Sequence, residues 1–362
     1  MNTFLKPTGR VRWVCVLVTF FLAVLALAAT ARADDRVTVR TPSGVGKVVL
    51  VGQILDWTGG VIKIRSGDDV HEIVAERVVN VETPRLKSHL DGLKAFENGN
   101  ADEAATQLNA ALAEDTRQWM RREILAVLVR VALARGDRAQ AVSNFLAIES
   151  SDPATQHLRL IPLDWSTTPP EPFLAAEARL WLRPGRSDNA KLLAASILLF
   201  DEKSGDQAAE ILNELASQTK PHLFTLARAQ LWRRQLVDGR VPIGEIERWE
   251  DRLKEIPEPF RGGPYSLIGR AWSAAGDPER AAAALLWLPL VYDADPSLAA
   301  RSAVQAGDEL TKIGRTGDAI VLYREVLTRF PSTTAAKDAQ ARIDRIRQAQ
   351  PTQSKAAVEI NL

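Results

Sequence analysis

The residues best suited to metal ligation or proton transfer near neutral pH are four histidines, His71, His89, His157 and His222, and they are scattered along the chain. None stands beside another at metal-ligand spacing, and the single cysteine, Cys15, lies in an apolar leader, so no histidine–cysteine metal site is expected. Gly44-Val45-Gly46-Lys47 carries the glycines and lysine of a phosphate-cradling loop. That loop also needs a glycine where Thr41 stands, a hydroxyl where Val48 stands, and a helix rather than a strand to follow, so the segment reads as a hairpin turn. The Gly-x-Ser-x-Gly, His-Glu-x-x-His and Gly-x-Gly-x-x-Gly patterns do not occur. Acidic residues are plentiful but mixed with arginines, where i,i+4 pairing on solvated helix faces is the ordinary explanation. The reading is a non-catalytic protein with no cofactor.

Stepping from side chains to segments, the chain opens with Lys6, Arg10 and Arg12, an apolar run over residues 13–29, and the exit Ala31-Arg32-Ala33. These are the parts of a secretory signal peptide over residues 1–33, with cleavage expected after Ala33 and no membrane span left afterwards. An uncleaved anchor is the alternative, but the run is at the short edge of a bilayer-spanning length. Removing the leader takes four basic residues and no acid, leaving 42 basic against 45 acidic residues. A nearly neutral exported chain has no electrostatic reason to bind nucleic acid. Its cysteine leaves with the leader, which excludes a disulfide framework.

Residues 34–84 form the first domain. Short β-branched runs alternate with turn clusters at Pro42-Ser43-Gly44, Thr58-Gly59-Gly60, Ser66-Gly67-Asp68-Asp69 and Ala75-Glu76-Arg77, which predicts five strands joined by hairpins. The rhythm of Gly52-Gln53-Ile54-Leu55-Asp56 followed by residues 61–64 resembles SH3 and Sm barrels and implies a small five-stranded barrel-like domain. The polar loop and Arg-Gly pair that carry RNA binding in Sm proteins are missing.

From residue 85 to 350 the periodicity is helical. Residues 306–331 read as two amphipathic helices joined by a tight turn, with Gly307 twelve residues before Ala319, Tyr323 four after it, and Pro331 closing the unit. Gly92 and Ala104, then Gly269 and Ala281, repeat the spacing of twelve. Ala141, Phe145 and Pro153 repeat the alanine, aromatic and proline positions, and Ala208 anchors a looser copy. The alanines at 104, 141, 208, 281 and 319 are separated by 37, 67, 73 and 38 residues, about one or two periods each. This pattern resembles the tetratricopeptide repeat. The resemblance implies a mainly α chain, an α-solenoid of about seven helix pairs, in which neighbours stack to bury what one pair cannot. Gly-Asp recurs at 136, 205, 276 and 317, where glycine would end one helix and aspartate cap the next. Four prolines within residues 161–172 forbid helix there and predict a loop or extended strap, whose Trp165 is read as pinned back onto the body, with a partner contact as the alternative. Residues 351–362 read as a flexible tail.

Carried over by position, the concave groove of the repeat implies Arg130, Arg270, Arg301, Asp308 and Lys312 as partner-binding candidates. The carboxylate clamp of cytosolic chaperones departs here, with His89 and Leu93 at its positions. The segment from Tyr323 to Ile346 is similar to the last repeats of bacterial envelope scaffold proteins. Together these imply an exported, periplasmic or envelope-associated scaffold that binds an unidentified protein or extended peptide. The rival reading is a peptidoglycan- or glycan-binding accessory that stacks sugars on Trp57, Trp165, Trp181, Trp249 and Trp272.

Overall fold

The computed structural model describes residues 35–239 and 241–359, with the side chains of residues 238 and 349–359 outside the description. The leader read over residues 1–33 and the last three positions of the tail lie outside the described residues. Among the described residues the chain is mainly helical, with fourteen α-helices and an N-terminal five-stranded antiparallel sheet. The described residues divide into two compact units: one holds residues 35–55 with Ile62–Pro84, the other Asp56–Val61 with those from Arg85 onward.

The strands are β1 (Asp35–Arg40), β2 (Lys47–Trp57), β3 (Val61–Ser66), β4 (Asp69–Val74) and β5 (Val78–Glu82). Alternation puts Val37 and Val39 of β1 on the buried face, opposite Leu50 and Val48, and Val37 also faces Val81 of β5. Ile54, Ile62, Ile64 and Ile73 complete the buried set. Asp35 is buried but satisfied: Ile54 N donates to Oδ2 at 2.7 Å and Thr83 Oγ1 to Oδ1 at 2.6 Å. The expected barrel is corrected, because the strand order is β4-β3-β2-β1-β5 and leaves β4 and β5 as the two edges of an open sheet. The short 3₁₀ turn Ala75–Arg77 carries the chain between these edges without hydrogen-bonding one to the other, and a shift in the β1–β5 ladder between Thr38 and Val39 bends β5 locally.

The helical unit begins with α1 (Lys87–Glu97), α2 (Ala101–Glu114), α3 (Gln118–Ala134) and α4 (Arg138–Ser151), and after the strap continues with α5 (Pro172–Trp181), α6 (Asp188–Leu198) and α7 (Gly205–Leu215). There follow α8 (Pro221–Asp238), α9 (Ile243–Arg252), α10 (Gly262–Ala275), α11 (Pro278–Val291), α12 (Pro296–Lys312), α13 (Thr316–Arg329) and α14 (Thr334–Glu359). The backbone of α14 thus runs on past Gln350, into the segment read as a tail.

The repeat-defining residues sit where close packing requires them. Ala104, Ala141, Ala208, Ala281 and Ala319 are completely buried. A Cβ added at Gly92 would stand 2.7 Å from Leu108 Cγ, one at Gly269 would stand 2.5 Å from Leu285 Cγ, and one at Gly307 would stand 2.4 Å from Tyr323 Cε1. In each case the glycine of one helix lies under the large residue sixteen positions later on the next. The pairs α1–α2, α10–α11 and α12–α13 therefore share one contact, which lets two helix axes approach closely. Phe145 is buried as well, while Pro153 and Pro331 are exposed where helices end.

Two of the four Gly-Asp turns behave as read: Gly136 and Gly276 adopt φ of +77° and +84°, and Asp137 and Asp277 accept from Gln140 N and Arg280 N at 3.0 Å. The other two are corrected. Gly205-Asp206 and Gly317-Asp318 lie inside the first turns of α7 and α13, and the left-handed residue before α13 is Gly314.

Early and late helices meet. Ser297 Oγ, at the start of α12, donates to Leu133 O near the end of α3 at 2.5 Å, and Arg138 Nη2 lies 3.7 Å from Asp295. Ser332 Oγ donates to Gly99 O and accepts from Ala101 N at 3.3 Å. In an open repeat array each pair touches only its neighbours; here the last helices return to the first.

Candidate functional site

The strap is held along its length by three arginines from three helices. After the 3₁₀ turn Gln156–Leu160 the chain runs extended to Pro172, because its prolines supply no N–H to a helix ladder and push the residue before each of them out of the helical region. Arg138, at the first position of α4, donates to Pro162 O at 3.1 Å and Leu163 O at 2.8 Å. Arg233 of α8 donates to Ser166 O at 2.6 Å and to Asp164 Oδ2 at 3.2 Å. Arg270 of α10 donates to Trp165 O at 3.0 Å and Thr167 Oγ1 at 2.6 Å. Trp165 packs flat against Gly263, whose absent side chain makes the room: a Cβ there would stand 1.9 Å from the indole.

Arg233 is the centre of this grip, with a side chain that is 0% exposed. Its Nη1 donors reach Ser196 O at 2.6 Å and Gln230 Oε1 at 2.5 Å, so four of the five N–H groups of the buried cation are committed. Burial pushes its pKa down to about 10, against the opposing pull of Asp164, so it stays charged at neutral pH. Burial alone would raise Asp164, but the charges of Arg138 and Arg233 and the hydrogen bonds from Ser166 outweigh it and hold that carboxyl below the usual carboxylate range. The result is a buried, charged and hydrogen-bonded cluster in the middle of a helical unit.

The five residues predicted for partner binding differ in what they already meet. Arg270 is occupied by the strap, and burial with the nearby charge of Arg301 lowers its pKa. Asp308 accepts from Tyr323 Oη at 2.9 Å and from Arg342 through Nε at 2.6 Å and Nη2 at 2.8 Å, a bidentate pair. Lys312 reaches both oxygens of Glu309, at 2.7 and 2.8 Å. Arg130 and Arg301 remain: among the described residues neither has an ion pair or hydrogen bond, and each buries an Nε without a partner. Arg301 lies beside Arg270, whereas Arg130 stacks over Phe96 at 5.6 Å, on the wall of a cavity of about 320 Å³ where the first and last helices meet.

Sequence reasoning missed Arg138, Asp164 and Arg233. A signal for Arg233 was present: it shares one helical face with Leu226 and Ala229, and a charge on an apolar stripe demands a buried partner. The partner, Asp164, is 69 residues away and carries no local mark.

Of the tryptophans proposed as sugar platforms, Trp165, Trp181, Trp249 and Trp272 are buried and Trp57 is half-buried. The most exposed indole among the described residues is Trp287, at 44%, stacked on Tyr265 at 5.4 Å and beside Tyr292 at 6.3 Å. Among the described residues no cluster of three or more metal-ligating side chains occurs, and no helix is long and apolar enough to cross a membrane.

Scanned against protein-family models, the chain matches none. No curated protein matches it at a significant level.

Proposed function

We propose that this chain is a non-catalytic interaction scaffold, exported to the cell envelope, whose tetratricopeptide-type helix pairs hold an extended segment of a protein partner. The carrying observation is the strap. The helical unit already binds one extended, proline-rich stretch, its own, by directing guanidinium donors at backbone carbonyls. That mode of recognition suits any extended chain, because backbone carbonyls recur whatever the side chains. Arg301, beside Arg270 and without an acceptor, is a donor of the same kind still available. The shared glycine-to-large-residue contact supports the repeat reading, and the leader pattern supports export.

The test is crosslinking and affinity purification of the full chain from envelope fractions, beside Arg301→Ala. Loss of a discrete protein partner in the variant supports the reading. Recovery of no protein partner by the unaltered chain overturns it. The glycan alternative now rests on the exposed Trp287 and the half-buried Tyr265 and Tyr292 stacked with it, and retention of the chain on peptidoglycan that is lost in Trp287→Ala would favour it.

A further inference from the structure

We propose that the cavity where the first and last helices of the helical unit meet is a binding site for a small organic carboxylate, one carboxyl group on an apolar body about the size of an N-acetylated amino acid. The inference is independent of partner docking, since it concerns a recess at the meeting of the first and last helices and not the Arg301 side of the helical unit.

The volume is the first observation. About 320 Å³ holds roughly ten water volumes of about 30 Å³ each and falls at the lower end of the range for small-molecule sites. The walls come from both ends of the unit: Phe96 from α1, Arg130 from α3, Pro296 from α12, and Phe330 with Pro331 after α13. Two aromatic rings and two prolines provide apolar surface for a ligand body.

The charge is the second observation. Arg329 is neutralised in place, 2.6 Å from Glu325 and 3.4 Å from Asp293, with its guanidinium 5.0 Å over the Phe330 ring. Arg130 is not: it has the Phe96 ring beneath it, a buried Nε with no partner, and no carboxylate in contact. Hydroxyls around the cavity are already engaged, Thr328 Oγ1 with Arg324 O at 3.0 Å, Thr333 Oγ1 with Phe330 O at 2.8 Å, and Ser332 with Gly99 O. The donors free to meet a ligand therefore belong to Arg130. A half-buried guanidinium short of acceptors is completed by a planar carboxylate, whose two oxygens match its fork.

The sign and size of the ligand charge follow from the neighbours. Glu97 and Asp293 also line the cavity and repel any anion, a dianion such as phosphate about twice as strongly as a monoanion, while Arg329 is already paired with Asp293 and Arg130 is left to compensate. A single carboxyl group on an apolar body fits both the charge and the walls.

The experiment is calorimetric titration of the purified full chain with N-acetylphenylalanine, N-acetylleucine and benzoate, each beside its neutral amide. At least one acid should bind, its amide should bind at least about tenfold more weakly, and Arg130→Met should lose at least about tenfold in affinity. A second readout needs no variant: phenylglyoxal modification of Arg130, followed by mass spectrometry, should slow in the presence of the bound acid and not its amide. Equal binding of acid and amide, binding undiminished in Arg130→Met, absence of protection at Arg130, or no binding by any of the three acids would overturn the proposal. So would tighter binding of inorganic phosphate, or a preference of more than about tenfold for a hexapeptide ending in the same residue, which would reassign the site to chain termini.

Discussion

Gly99 lies directly against the ring of Pro331: a Cβ on the glycine would stand 2.0 Å from the proline Cγ, and the glycine has a φ of +74°. One residue turns the chain between α1 and α2 and the other closes α13, so this contact joins Ser332 and Ser297 in stitching the start of the helical unit to its end. Two physical demands meet at Gly99, a left-handed backbone and a missing side chain.

Gly99→Ala should therefore cost more than a left-handed alanine alone. Gly136 has a similar φ of +77° with open space beyond its Cα, so Gly136→Ala isolates the backbone term at about 1–2 kcal/mol. Overpacking against Pro331 adds about 1–3 kcal/mol at Gly99. Urea unfolding of the two variants checks this, and equal losses would show that the seam gives way freely.

Arg233→Met removes the buried cation and leaves Asp164 with the hydrogen bonds from Ser166 and, as its remaining cation, Arg138 Nε at 3.8 Å. The expected loss is about 3–5 kcal/mol. Trp165 should become more accessible to acrylamide as the strap loosens. Adding Asp164→Asn to the Arg233 variant should recover part of the loss, because the uncompensated charge is then gone; no recovery would assign the effect to packing of the arginine stem.

Acid should weaken the same cluster. The folded-state pKa of Asp164 lies below its ordinary value of 3.8, so its stabilisation is fully present above about that pH and is lost as pH falls through the folded value. Asp115, Asp201 and Glu245 are held low in the same direction, each by arginine hydrogen bonds that outweigh burial. Unfolding free energies measured between pH 5 and 2 should decline less steeply in Asp164→Asn; an unchanged slope would remove Asp164 from the account.

A second window belongs to histidine. Burial first, then the charge of Arg85 for His89 and of Lys220 for His222, holds both below the ordinary 6.5. The unfolded chain then takes up protons before the folded one, so stability is full above about 6.5 and falls as pH drops below it. His89→Gln should flatten that decline between pH 7 and 5, measured against the unaltered chain in urea.

Fluorescence offers a direct check on the interior. Trp119, Trp165, Trp181, Trp232, Trp249 and Trp272 are all buried, while Trp287 is exposed. Trp287→Phe should remove most of the emission that acrylamide quenches readily, and ready quenching that survives both this change and Trp57→Phe, which removes the half-buried indole, would mean that the interior indoles are open to solvent.

What could be read in advance was what repeats locally. Ala104, Ala281 and Ala319 follow their glycines by twelve residues because each pair is a short-range unit, and the structure buries all three. Helices also form at α5 and α9, where the small-residue signature was absent but the periodicity persisted. Long-range choices left no such trace. The open sheet and the barrel share the same strand pattern and differ in whether the edges pair. Nothing near Arg130 distinguishes it from Arg270, yet one faces a cavity and the other is spent on the strap, because Thr167 lies 103 residues from Arg270. The strap was legible as non-helical, while its burial depended on Gly263 and Arg233, both far along the chain.

The stitch between Gly99 and Pro331 also bears on how such a chain can change over generations. Repeat arrays ordinarily lengthen or shorten by duplicating or dropping a unit, since each unit needs only the one beside it. Here an inserted or deleted pair would carry Ser332 away from Gly99 and Ser297 away from Leu133, so the gain of a unit breaks a joint elsewhere. Descendants of this protein are thus expected to vary in the composition of their units and to keep their number.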